Sequence, residues 1–316
     1  MLFHIVRKEL LDQLLSLRFA IACIVCLLVF LLSSLMLTRD YRVALSTYNM
    51  NSVLHRNDIS QVTAIWELEE ITVDRPLNIM NVVIQGIHPE LTESVRVQAD
   101  EQLGFPDTYE QNPLVPLFPS VDFVFIVGTI MSLLALAFSY DAISGERESG
   151  VLKLVMSYNV PRDLLLRSKW IGGYLALITP FIVAFLVGLV VVLLDPKIDL
   201  RADDTLVLCA LLFIALLYLA SIYSLGILVS SRTQIASTSI TVLMLAWVVF
   251  ILIIPNIVPY ITSQLLPTPS RQSIKREKAG IRQQAERQQE EMVHQQSQDN
   301  DNIWEDKDFR DKIETL

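Results

Sequence analysis

Five stretches of this 316-residue chain contain no Asp, Glu, Lys or Arg: 19–37, 123–140, 170–194, 205–231 and 235–260. A helix needs ~17–25 predominantly apolar residues to cross the hydrocarbon core of a bilayer, and every one of the five is long enough. Composition agrees, with 52% hydrophobic and 19% charged residues and a mean hydropathy of +0.45. The chain therefore reads as an all-α polytopic membrane protein with five transmembrane helices. A net charge of −9 and the lack of a basic stripe exclude a nucleic-acid partner. Cys23, Cys26 and Cys209 lie inside apolar runs, and Cys23-x-x-Cys26 has no further ligand nearby, so these read as small hydrophobes. The first run is no cleavable signal, because no small-residue cleavage site closes it.

The layout follows from where the charges fall. Residues 1–18 form an amphipathic elbow helix, with Phe3, Val6, Leu10 and Leu14 on one face. TM1 is 19–37, 38–120 is an extracytoplasmic loop domain, TM2 is 121–140, and 141–169 is a cytosolic segment. TM3 is 170–194, TM4 is 205–231, TM5 is 235–260, and 261–316 is an extracytoplasmic charged tail. Arg and Lys concentrated in short loops mark the cytoplasmic side. Arg7, Lys8 and Arg18 precede TM1, and Arg147, Lys153, Arg162, Arg167 and Lys169 lie between TM2 and TM3. The 38–120 loop instead carries 12 acidic residues against five Arg. The N-terminus is thus expected in the cytoplasm. Within the outer loop, 91–103 is expected to form a short helix, and His55 and His88 read as surface residues rather than metal ligands. The tail from 271 holds 9 basic residues, 11 acidic residues and eight Gln, and 272–297 is expected to be helical.

The spans carry no intramembrane ionisable residue of the kind an ion-coupled carrier uses. Ser237, Thr238, Ser239 and Thr241 make a hydroxyl stripe in TM5; Ser237, Thr238 and Thr241 are the candidate substrate path, and helix packing is the plainer reading. Pro180, Pro255 and Pro259 are expected to kink TM3 and TM5. Gly145-Glu-Arg-Glu-Ser-Gly150 mimics half of a phosphate-binding loop. It lacks the Lys-Ser/Thr that completes one, and its two acids would repel phosphate. No protease, zinc or other catalytic pattern occurs, so no catalytic, cofactor or metal residue is assigned.

The most informative segment is Asp141-Ala-Ile-Ser-Gly-Glu-Arg-Glu-Ser-Gly-Val-Leu-Lys-Leu, followed by Val160-Pro161-Arg162. Its apolar centre needs a covering surface, and charges flank both ends. That pattern suits either a helix docked on a partner or one resting on lipid headgroups. The stretch resembles the signature of type-2 ABC transporter permeases. More narrowly, it is similar to exporter permeases with a large outer loop, the group that includes the copper-processing permease of nitrous oxide reductase maturation. Val151 departs from the Thr common at that position.

The resemblance implies the permease subunit of an ATP-driven exporter, working with a separate ABC ATPase that binds ATP and Mg, and with a second permease subunit in a homo- or heterodimer. It places the chain in the cell (inner or plasma) membrane, in contact with lipid, without catalysis of its own. Glu146, Arg147 and Glu148 would lock a coupling helix whose Leu152, Val155 and Met156 meet the ATPase. Six spans are usual in that family, so a sixth is expected beyond residue 316. The alternative is a non-transporting scaffold that relays ATPase motion to an envelope protein.

Overall fold

The computed structural model describes residues 2–61, 70–85, 94–98, 121–158, 161–198, 201–265 and, in the tail, 276–292 except 278, 282 and 286. The described residues fall into two units, Met1–Leu252 and Ile253–Leu316. Among the described residues, five helices are long and apolar enough to cross a membrane, with mean hydropathies of 2.1 to 2.9 over their apolar windows.

In the first unit, α1 (Leu2–Leu14) and α2 (Leu17–Gln61) are separated by one break at Ser16. The Ser16 hydroxyl accepts from the Phe19 N–H (3.2 Å) and donates to the Gln13 carbonyl (2.6 Å), closing one helix and opening the next. The face of α1 turned toward the protein holds Ile5, Val6, Glu9, Leu10, Gln13 and Leu14. Phe3, expected on it, is 74% exposed. The face therefore buries a carboxylate and omits an aromatic ring.

Helix α2 has 45 residues, about 67 Å of helix at 1.5 Å per residue. Its apolar stretch ends near residue 37, but the helix does not. The expected 38–120 loop thus begins with over 20 residues of continuous α-helix. The reason is local: 38–61 contains no Gly or Pro, and loss of hydropathy ends a membrane contact without ending a helix.

Beyond α2, strands β1 (Glu70–Asp74) and β2 (Ser94–Gln98) pair antiparallel, with Thr72 opposite Arg96. The expected helix over 91–103 is therefore corrected to a strand at its described residues. Ser-Val-Arg-Val-Gln alternates at period two with β-branched residues, which suits a strand better than a helix. A 3₁₀ turn, Ile79–Val82, starts at Asn78, whose side chain accepts from the Met80 N–H at 3.0 Å. Val82 from this turn joins Tyr41, Val192 and Ile198 in a small core at the ribbon end of the spans.

The second span begins with α3 (Phe123–Phe125), passes through a π-helical turn (Ile126–Met131) and continues as α4 (Ser132–Ser139). Asp122 caps its start by accepting from the Phe125 N–H at 2.9 Å. After the short helices α5 (Ser144–Glu148) and α6 (Val151–Ser157) comes α7 (Arg162–Leu193), which runs through the buried Pro180. α8 covers Ala202–Arg232 and α9 covers Ala236–Trp247.

Membrane helices gain little from hydrophobicity against one another, so close approach and hydrogen bonds hold them together. Ser34 Oγ on α2 donates to the Gly188 carbonyl on α7 at 2.8 Å. The main core contains Phe30, Phe123, Phe181 and Phe185, whose ring centroids lie 5.5–6.3 Å apart. Cys26 is buried there with its Sγ 3.4 Å from Met131 Sδ, in keeping with a small hydrophobe.

In the second unit, α10 (Ile254–Leu265) continues through Pro255 and Pro259. A π-helical turn at Val248–Ile253 precedes it in sequence. The tail is helical at its described positions from 276 to 292.

Candidate functional site

The residues from Asp141 to Gly150 gather charges that a greasy bundle could not otherwise bury. Arg18 Nη2, at the start of α2, contacts Asp141 Oδ2 at 2.7 Å, and its guanidinium lies 5.0 Å from the centre of the Tyr140 ring. One turn on, Ser230 Oγ of α8 accepts from the N–H groups of Ile143 and Ser144, both at 3.1 Å. Those are orphan donors at the start of α5, and a hydroxyl from another helix satisfies them.

The three consecutive charges then reach three different places. Glu146 Oε1 contacts Lys169 Nζ at 2.7 Å, and the same ammonium contacts Glu9 Oε1 of α1 at 3.2 Å. Lys169 is 4% exposed, so its charge survives burial only because two carboxylates surround it. Glu146 Oε2 is buried without a hydrogen-bond partner. Arg147 donates from Nη1 to the Thr233 carbonyl (2.8 Å) and from Nη2 to the Ser231 carbonyl (3.0 Å). It caps the last turn of α8, where carbonyls lack helical partners. Glu148 Oε2 accepts from the Ala236 N–H at 3.0 Å. It thereby caps the first turn of α9, whose own N-cap, Ile235, offers no side-chain hydrogen bond.

The triplet thus ties α5 to α1, α7, α8 and α9. The close approach this needs is made at Gly172, one turn above Lys169. A Cβ there would sit 2.8 Å from Glu9 Cβ and 3.2 Å from the Val6 carbonyl. Gly145 and Gly150 play different parts. Gly145 lies inside α5, whereas Gly150 takes φ 80° and separates α5 from α6. That left-handed turn favours glycine.

On α6 the exposed apolar side chains are Val151 (42%), Leu154 (60%) and, just past its end, Tyr158 (74%). Leu152 packs against the protein's own core, and Val155 and Met156 are half-buried. The outward face of α6 is therefore centred on Leu154, one position away from the expected set. Leu152 is turned inward because the chain re-enters α6 through the Gly150 turn, which sets the helix's rotation. Ser237, Thr238 and Thr241 are exposed on α9, while Ser239 and Leu243 are its buried residues. A cavity of about 30 Å³ lined by Phe30, Ser34, Phe123 and Gly188 lies among the spans, room for about one water.

Glu9, Lys169, Ser230 and Gly172 were missed as members of the site by reading along the chain. One signal was present: a lone Lys beside an apolar run, followed three residues later by Gly-Gly, asks for an acidic partner and a close neighbour. Among the described residues no cluster of three or more His, Cys, Asp or Glu is placed to hold a metal ion. His55 Nδ1 is instead 2.7 Å from Asp74 Oδ2, and His88 lies outside the described residues.

The described residues thus form a multi-pass helical protein with a short, cross-tied helix pair between its second and third candidate spans. Residues 3–298 match the family described as ABC-2 family transporter protein, and the chain belongs to that family. No curated protein matches it.

Proposed function

We propose that this chain is the membrane-spanning subunit of an exporter driven by a separate ATPase, with its N-terminus and residues 141–169 in the cytoplasm of an inner or plasma membrane. The observation that carries this reading is the divided character of α5 and α6. Glu146, Arg147 and Glu148 fasten α5 to four helices, while α6 turns Val151, Leu154 and Tyr158 outward. An ATPase seated on α6 moves a lever already bolted to α7, α8 and α9, and rigid-body motion is transmitted because the ties are charge-assisted and centred on the buried Lys169. ATP and Mg belong to that partner.

The substrate path is assigned to the exposed hydroxyl face of α9 at Ser237, Thr238 and Thr241. That face looks away from the chain's own core, so a second permease chain would complete the path. Hydroxyls on an apolar wall suit an amphipathic substrate. The 45-residue α2 favours a second reading, in which the chain relays ATPase motion to an envelope protein without transport.

The test is co-purification from membranes. Val151→Asp with Leu154→Asp should abolish recovery of the ATPase while insertion and unfolding temperature stay unchanged, because an unpaired carboxylate at an interface is costly. Retained recovery places the contact elsewhere. Vesicles holding the intact pair should then show ATP-dependent movement of an amphipathic probe; ATP turnover without movement favours the relay.

A further inference from the structure

Past Thr38, α2 has left the apolar stretch but has covered only one of its faces. Tyr41 and Leu45 pack into the small core with Val82, and His55 pairs with Asp74. On the other face Val43, Met50, Val53 and Leu54 stand 59%, 67%, 59% and 50% exposed. Val43, Ser46, Met50, Val53 and Asn57 repeat at alternating steps of three and four, a heptad seam of three apolar and two polar residues, and all five are exposed. Three large apolar side chains in a row on a helix outside the bilayer need a cover.

We propose that this seam pairs with the same seam of a second copy of the chain, as a short parallel coiled coil standing beyond the membrane-spanning part. Three features select that occupant. A bilayer holds two copies parallel and at one height, so each seam residue meets its own equivalent. Charge placement also disfavours the reverse direction, in which Arg42, already tied to Asp195 at 3.0 Å, would meet Arg56 of the partner subunit. The seam is also small. Its three apolar side chains, with Leu54 beside them, offer on the order of 400 Å², about half of the ~800 Å² per partner that a free-standing interface buries. It is too little to capture a soluble protein, but enough between chains already confined to one membrane, where effective concentration is high.

The inference rests on the permease reading only for the presence of a second copy. Its test uses the full chain, co-expressed with its ATPase, with Cys23, Cys26 and Cys209 replaced by Ala. Single cysteines are placed on the seam (Val43→Cys, Met50→Cys, Val53→Cys) and on the covered face (Leu45→Cys, Ser52→Cys), and membranes are oxidised with copper phenanthroline. Seam positions should give a species of twice the chain's mass at least tenfold more efficiently than covered ones. Met50→Asp with Val53→Asp should lower cross-linking at Val43→Cys at least tenfold while the ATPase still co-purifies. Equal or absent cross-linking on both faces, with the ATPase retained, overturns the seam and leaves the permease reading standing. Efficient seam cross-links without any ATPase partner support the seam and count against that reading. A cross-link to a protein of different mass overturns the second copy as occupant.

Discussion

The two ends of the bundle are held by different means. At the α5 end, one buried ammonium, one guanidinium and three carboxylates join five helices through contacts of 2.7–3.2 Å. At the ribbon end, one long helix carries a small apolar core and two isolated ties, Arg42–Asp195 (3.0 Å) and His55–Asp74 (2.7 Å). The first end has many elements and shared partners; the second has one strong element and separable partners. Removing a group should therefore spread through the α5 end and stay local at the ribbon end.

The largest effect should come from Lys169→Ala, which leaves Glu9 and Glu146 facing one another without a cation. Breaking a buried pair in this way costs about 3–5 kcal/mol, read as a fall in the unfolding midpoint in detergent. Adding Glu146→Ala to that variant should restore part of the loss; no restoration would break the idea of a shared hub.

Arg147→Ala removes two charge-assisted bonds to carbonyls, with a cost of roughly 1.5–3 kcal/mol. The same change should expose 231–235 to limited proteolysis, since those residues would lose their cap. Gly172→Val drives a side chain into Glu9 and the α1 backbone, and overpacking of this kind costs ~1–3 kcal/mol. Its signature would be a loosened α1, seen as faster labelling of a cysteine placed at Val6. The smallest effect belongs to His55→Ala, which removes one hydrogen bond worth about 1 kcal/mol. The α5 end should be untouched in that variant, and an equal loss there would erase the contrast between the two ends.

The helical spans and the special character of 141–158 were legible along the chain. Charge-free length marks a span, and the Glu-Arg-Glu triplet beside Gly150 marked the segment that became α5 and α6. The outer region was read less well. Where hydropathy ends, a helix formed of Tyr41-Arg42-Val43-Ala44-Leu45 and its successors has no local reason to stop, and Val95 and Val97 found a strand partner that periodicity along one segment does not reveal.

What the sequence by itself determined is whatever depends on neighbours a few residues apart: five apolar spans, the helical habit of α1 and α2, and the glycine turn before α6. The tertiary structure decided which charges meet. Lys169 finds Glu9 from 160 positions away, and Arg147 finds the end of α8 from 86. It also decided that Leu154 rather than Leu152 faces outward, because the Gly150 turn sets the rotation of α6 relative to an α5 that is itself held on α7, α8 and α9. Local backbone preference acts within a turn or two. Burial of a charge requires an opposite charge delivered by packing, and no stretch of sequence contains its own partner across the bundle.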